Sequence, residues 1–360
     1  MKVLILTNSL VGLYQFRKEL IKRLILENKA VVISAPNGDR ANEFIDFGCK
    51  FIETDIDRRG VNPIYDLKLF FNYMRIIKTE KPDVVLMYTV KPNTYGGIAC
   101  RLLKKRYIPN VTGLGSAMQK KGIVFTIIKN LYKVAFKSAK CVFFQNSTNM
   151  KLLSDWNIVK DNAVLIPGSG VNIDDYTPIP FPQDSGKIRF LFIARIYKEK
   201  GIDEYLNAAD IIRKRYSNTE FHVCGGCEED YEELLRKKNE SGDIVYHGEV
   251  KNIKDVISDM HCTVNPSYHE GMSNVLLESS AVARPCLCSN IPGCKEIVDD
   301  GKTGFLFEAQ SMESLVSAIE KFLNMNHAEM AKMGENARSK VCREFDRNIV
   351  IEKYLGQING

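Results

Sequence analysis

Pro178-Ile179-Pro180-Phe181-Pro182-Gln183-Asp184-Ser185-Gly186, followed at once by the apolar run Ile188 to Ala194, divides the chain in two. Three prolines in five residues and the Asp-Ser-Gly turn forbid helix and central strand alike, so 178–186 reads as punctuation and Ile188 opens a new strand. The same rhythm lies on both sides of it. Before it, Val3 to Leu6, Ala30 to Ser34, Phe51 to Thr54 and Val84 to Met87 read as strands, separated by helical stretches such as Arg17 to Glu27 and Leu67 to Thr79. After it come Phe221 to Cys224, Ile244 to His247, Cys262 to Asn265, Pro285 to Ser289 and Gly304 to Phe307, with helical patterns between them. Short apolar strands alternating with helices make parallel, doubly wound α/β sheets. The expected architecture is therefore two Rossmann-like domains, 1–180 and 181–340. The amphipathic stretch Ala328 to Ile358 supplies terminal helices, of which 341–360 packs back on the first domain. A ligand cleft is expected between the carboxyl ends of the two sheets.

The 360 residues are 45% apolar and 26% charged, which excludes a disordered, collagenous or coiled-coil chain. The longest apolar runs, Val3 to Leu6 and Ile123 to Ile128, fall far short of the roughly 20 residues of a membrane span. The apolar stretch near Met1 is too short for a secretory signal, so a cytoplasmic location is expected. Ten scattered cysteines fit free thiols in a reducing compartment better than a disulfide framework. Cys224-Gly-Gly-Cys227 and Cys286-Leu-Cys288 have no partner pair at zinc spacing, and buried thiols are the better reading.

Charge is unevenly spread. Residues 1–170 hold 27 Lys+Arg against 13 Asp+Glu, and the remainder 23 against 31. Between Arg101 and Lys140 lie ten basic residues and no acidic one, and from Ile123 onward apolar residues interleave with Lys129, Lys133 and Lys137 as in a basic amphipathic helix. This points to an anionic inner-membrane surface or, more plainly, to a core-packed helix with a solvated lysine face. Nucleic acid is disfavoured because no stacking array or binding motif accompanies the charge.

The sharpest local feature is Asn265-Pro266-Ser267-Tyr268-His269-Glu270-Gly271-Met272-Ser273-Asn274-Val275-Leu276-Leu277-Glu278. It follows a strand, and the apolar pattern starts a helix near Gly271 to Ser273. A helix N-terminus attracts phosphate, and Glu278 then lies about 8 to 10 Å along, suited to the ribose of a nucleotide diphosphate. Glu270 would face a sugar beyond the phosphates. Arg195 and Lys200 follow the first strand of the second domain and would neutralise a leaving diphosphate. Taken singly, these are surface acids and solvated cations; their convergence on one sheet edge favours a site.

Arg195 with Lys200-Gly201, and Glu270 with Glu278 in the order E-x7-E, resemble the nucleotide-sugar site of retaining glycosyltransferases of family 4, whose two-domain arrangement is called GT-B. Arg59 to Pro63, Tyr88 to Gly97 and Val111 to Ser116 resemble the branch that extends undecaprenyl-diphosphate-linked saccharides, N-acetylgalactosaminyltransferases among them. Pro167 to Asn172 sits where the family has a hinge-side turn. The resemblance implies a UDP-sugar donor, a lipid-linked saccharide acceptor and no cofactor or protein-held metal. By it, Arg195 and Lys200 bind the diphosphate, Glu278 the ribose, Glu270 the donor sugar, and the backbone of Gly271, Met272 and Ser273 the phosphate. Gly12, in the loop after the first strand, would sit near the reaction centre, and the turn from Gly248 to Lys251 near the base. Many family members carry a His where this chain has Thr112-Gly113, and no His precedes His222. Thr89, Lys91 and Thr112 are the candidates for the acceptor side.

The family is read as transferring with retention, the leaving diphosphate itself taking the acceptor proton, with positioning and electrostatics doing the rest. Asp55-Ile56-Asp57 is better read as a loop acid pair than as a metal site, and His269 as a loop or packing residue. Two alternatives remain: a UDP-sugar epimerase or hydrolase with the same donor site, and a non-enzymatic membrane or nucleic-acid binder; a dinucleotide oxidoreductase is set aside because Asn8 to Gly12 lacks Gly-x-Gly-x-x-Gly.

Overall fold

The computed structural model describes residues 1–57, 60, 62–113, 122–250 and 252–360. Its first sheet holds β1 (Lys2–Leu6), β2 (Ala30–Ala35), β3 (Lys50–Glu53), β4 (Val84–Tyr88), β5 (Arg106–Val111), β6 (Val142–Phe144) and β7 (Ala163–Leu165). All pairs are parallel, in the order β3-β2-β1-β4-β5-β6-β7. The second sheet holds β8 (Ile188–Ile193), β9 (Thr219–Cys224), β10 (Val245–Tyr246), β11 (Cys262–Asn265), β12 (Cys286–Ser289) and β13 (Gly304–Phe307), also parallel, in the order β10-β9-β8-β11-β12-β13. Strand order reverses beside β1 in one sheet and beside β8 in the other, and ligands of such sheets bind outside the carboxyl ends at that switch.

The helices are α1 (Leu10–Leu26), α2 (Ala41–Asp46), α3 (Pro63–Glu80), α4 (Gly97–Leu102), α5 (Ile123–Phe136), α6 (Ser147–Asp155), α7 (Ile202–Arg215), α8 (Glu232–Glu240), α9 (Ile253–Ser258), α10 (Asn274–Ala281), α11 (Met312–Leu323), α12 (His327–Glu344) and α13 (Arg347–Asn359). Their ends follow local chemistry. Ser9 caps α1, Asn62 caps α3 ahead of Pro63, and Lys81 ends α3 in a left-handed conformation before Pro82. On the first sheet, α1, α2 and the residues of α13 from Val350 onward fill one face. The other face carries α3, α4, α5 and α6.

The chain divides into two compact units, Met1–Ser169 with Val350–Gly360, and Gly170–Ile349. The proline-rich stretch, expected as the boundary at 180, belongs with the second unit. Ile179 N–H donates to Val282 O, the buried Arg284 guanidinium donates to the carbonyls of Ile179 and Pro180, and Phe181 packs edge-on against His261 and His327. Val171 already bridges to Asp346, which moves the division back to 169/170. Likewise the returning segment is 350–360 rather than 341–360, because α12 continues to Glu344 within the second unit.

Candidate functional site

In the second unit, the loops leaving β8 and β11 at the switch point are locked together. Gly201 adopts φ +76°, and a Cβ there would stand 2.1 Å from Pro266 O, so only glycine lets the two backbones meet. Tyr268 N–H donates to Glu199 O at 2.9 Å, and the Tyr268 hydroxyl donates to Glu204 at 2.6 Å. Across this seam Lys200 Nζ lies 2.6 Å from Glu270 Oε1, with side chains only 16% and 15% exposed. Burial disfavours the Lys200 ammonium, but the Glu270 charge and hydrogen bond outweigh it and raise its pKa. Beside them lies buried Cys294, whose thiol is pushed well up, first by burial and then by the neighbouring Cys288. Arg195 and Lys200 flank one ring, their charged ends 5.6 and 6.0 Å from the centroid of Tyr197. Arg195 is solvent-facing and pairs with Glu228 at 2.7 Å.

Ser273 caps α10, its Oγ accepting from Leu276 N–H and, at 2.8 Å, from Asn265 Nδ2. Its own N–H donates to Gly293 O at 2.9 Å, so the expected phosphate contact through the Ser273 amide is occupied; Asn274 and Val275 carry the N–H groups that a first turn cannot satisfy internally. Gly293 has φ +87°, and a Cβ on it would lie 2.7 Å from Gly271 O and 2.9 Å from Glu270 O. Along α10 only Asn274, Val275 and Glu278 escape full burial, and the four-residue spacing stacks Asn274 and Glu278 on one face. Glu278 receives the Tyr176 hydroxyl and faces Arg347. Burial nevertheless pushes its carboxyl up to about 7, against the pull of Arg347 and Tyr176. The turn at Gly248 joins this edge: Gly225 N–H donates to Gly248 O at 2.8 Å, and a Gly225 Cβ would overlap Ala194 O. Lys251 lies outside the described residues.

In the first unit the expected residues are placed differently. Gly12 is not in a loop: Ser9 starts α1 early, and Gly12 N–H donates to the Ser9 cap at 3.1 Å. Thr89 follows β4 with φ +74°, a rare conformation for a β-branched residue, and its buried Oγ1 has no hydrogen-bond partner. Lys91 is tied up as an ion pair, 2.6 Å from Asp66 Oδ1, while the Tyr95 hydroxyl donates to the other Asp66 oxygen at 2.8 Å. Thr112 stands just past β5, and Leu114 to Ser116 of its motif lie outside the described residues, as do Arg58, Arg59 and Val61. Asp57 accepts from Gly60 N–H at 2.8 Å, and among the described residues no cluster of three or more His, Cys, Asp or Glu gathers for a metal. All ten cysteines are free; Cys224 Sγ faces Gly248 O and Cys227 Sγ the Tyr246 hydroxyl, not each other.

Sequence reasoning missed Asn274, Tyr176 and Arg347. Asn274 is partly buried and its Oδ1 has no hydrogen-bond partner. Its position four residues before Glu278 was the available signal. Nothing local marks Tyr176 or Arg347, which reach Glu278 from distant parts of the chain.

Residues 2–146 match the family described as Glycosyl transferase 4-like, and residues 178–340 the one described as Glycosyl transferases group 1. The chain is 25% identical, over 99% of its length and 97% of the relative, to N,N'-diacetylbacillosaminyl-diphospho-undecaprenol alpha-1,3-N-acetylgalactosaminyltransferase of Campylobacter jejuni. It is 24% identical, over 80% of its length and 78% of the relative, to UDP-Gal:alpha-D-GlcNAc-diphosphoundecaprenol alpha-1,3-galactosyltransferase of Escherichia coli. Among solved structures, Anabaena HepE in complex with UDP and glucose shares the fold with a TM-score of 0.81 at 14% identity, covering 100% of this chain and 99% of that one.

Proposed function

This chain belongs to the glycosyltransferases, 4-like in its first half and group 1 in its second, and from that membership we propose that it moves an N-acetylhexosamine, N-acetylgalactosamine-like, from UDP to a saccharide carried on a lipid diphosphate. The observation that carries the reading is the seam of the second unit, where Lys200, Glu270 and the start of α10 converge, with Glu278 further along the same helix. The relatives named above act on undecaprenyl-diphosphate saccharides, which supports the acceptor class and a place in surface polysaccharide or glycan assembly.

In this reading Lys200 and Arg195 hold the leaving diphosphate and the unsatisfied amides at the start of α10 add partial positive charge. Glu270 gives Oε1 to Lys200 and accepts a donor-sugar hydroxyl on its other oxygen. Glu278 accepts from the ribose, helped by Asn274. The acceptor oxygen bonds to the sugar's anomeric carbon as the bond to UDP breaks on the same face. The proton passes to the departing phosphate oxygen, so configuration is retained without a protein nucleophile. The first unit takes the acceptor, with Thr89 and Thr112 at its sheet edge.

The same reading places the protein on the inner face of the membrane. Helix α5 buries Tyr132, Ala135 and Phe136 yet leaves Ile123 82% exposed, with Val124, Ile127 and Val134 also out in solvent beside Lys133 and Lys137. No helix among the described residues is long and apolar enough to cross a bilayer, so attachment would be peripheral. The test is incubation with a panel of UDP-sugars, with and without a lipid-diphosphate-linked N-acetylhexosamine. Sugar transfer that requires the acceptor is expected. Acceptor-independent release of UDP, or epimerised donor, would replace the transferase reading.

A further inference from the structure

Two concavities lie side by side in the first unit and share one residue. The larger, about 580 Å³, opens at the carboxyl ends of β3 and β4 and is lined by Asp55, Asp57, Tyr65, Lys68, Asn72 and Lys91. The smaller, about 280 Å³, runs over the α3–α4 surface between Pro63, Leu67, Phe70, Tyr95 and Ile98. Asp66 lines both, fixed between Lys91 and the Tyr95 hydroxyl. The first carries polar groups, carboxylates and an amide for hydroxyl donors and a cation, set among Ile56, Leu69 and the exposed Tyr65 ring; the second is almost wholly apolar. The apolar character continues outward, since Leu67 is 55% exposed and Ile64 and Phe71 on the same helix face are exposed as well. Exposed large apolar side chains gathered beside a groove mark a binding surface rather than scattered solvent contacts.

A ligand that fills both must be polar at one end and a hydrocarbon at the other. We propose that this pair is the acceptor site. The saccharide sits in the hollow with hydroxyls donating to Asp55 and Asp57 and a ring face on Tyr65, Lys68 meets the phosphate charge, and the first prenyl units lie in the groove over Leu67 and Phe70. The inference rests on the lipid-linked acceptor proposed above, and it divides the acceptor between two named surfaces. The Lys91–Asp66–Tyr95 contact is the wall between them, which gives Lys91 a positioning role in place of direct contact with the acceptor hydroxyl.

The experiment is calorimetric binding of two probes to the full chain, N-acetylglucosaminyl diphosphate bearing a farnesyl chain and the same sugar diphosphate bearing a methyl group, with UDP titrated on every sample. Wild type is expected to bind the farnesyl probe at least about tenfold more tightly, because apolar area leaves water only with that probe. Leu67→Glu, at an exposed position that folding does not depend on, brings the farnesyl probe down to the methyl level and leaves the methyl probe unmoved. Asp55→Asn weakens both probes by the same factor. Equal binding of the two probes by wild type, binding of neither, or equal weakening of both by Leu67→Glu overturns the assignment. Failure of wild type to bind UDP would instead overturn the transferase reading, whatever the probes do.

Discussion

Lys200 Nζ and Glu270 Oε1 stand 2.6 Å apart, an ion pair that joins the loop after β8 to the loop after β11 beside the Tyr268–Glu199 backbone hydrogen bond. Each partner is mostly withdrawn from water, so each needs the other. Lys200→Met and Glu270→Gln are therefore expected to lower unfolding stability by about 1–3 kcal/mol apiece, since each leaves a half-desolvated partner behind. The double variant should lose less than the sum, a coupling of about 1 kcal/mol or more in a double-mutant cycle read by urea unfolding. Strict additivity would show that the pair contributes nothing as a pair.

Gly293 holds Glu270 in place through an approach that no side chain permits. Gly293→Ala should raise the donor KM and lower kcat together, because the new Cβ would press on Gly271 O and Glu270 O at a φ that also disfavours alanine. Gly242→Ala shares the positive φ but meets nothing within 4 Å, and it serves as the strain-only control. Equal kinetic losses in the two variants would mean that displacement of Glu270 is not the cause.

Glu278 sets a pH dependence with a definite sign. Its carboxyl, ordinarily near 4.5, is pushed up to about 7, so between those values the folded chain holds a proton that the unfolded chain has lost. This group's contribution to stability accordingly falls as pH rises from 4.5 to 7, and Glu278→Gln should remove that slope from the unfolding midpoint. A ribose diol donates to the carboxylate form, so UDP-glucose, whose phosphates do not titrate in this range, should bind up to about tenfold more weakly per pH unit below 7. Affinity flat between pH 5.5 and 8 would separate Glu278 from the nucleotide.

Helix α5 exposes both lysines and large apolar side chains, the surface proposed above for membrane attachment. Replacing Lys129, Lys133 and Lys137 together by Glu should abolish co-sedimentation with vesicles containing anionic lipid, and raising the salt should weaken wild-type binding in the same assay. Retention of the triple variant at wild-type levels would locate membrane attachment elsewhere.

Much of the second unit was legible because the strands of a parallel sheet covered on both faces are written as short, largely apolar runs. Cys262–Asn265 and Gly304–Phe307 match their expected limits, and Ile188–Ile193 lies within one residue of them. The first sheet was harder to read. Strand β5 carries Pro109 opposite Met87 in mid-sheet, a residue that normally argues against a central strand, and β6 and β7 are three residues each, too short for any periodicity. The Ser9 cap was present in the sequence but its consequence for Gly12 was not drawn, although Ser before an apolar periodic stretch is a helix-start signal. At the candidate site, spacing in the sequence singles out as candidates only residues close along the chain: Arg195 with Lys200, and Glu270 with Glu278. Partners that arrive through the fold, Tyr176 and Arg347 at Glu278 and Asp66 at Lys91, left no local trace.

The most direct measurement is titration of UDP into wild type and into Arg195→Ala, Lys200→Met and Glu278→Gln at pH 8 by calorimetry. Saturable binding by wild type, with affinity lowered about tenfold or more in each variant, is the expected result. Undiminished affinity in all three variants, or no binding by wild type, would contradict the placement of a nucleotide diphosphate at the start of α10.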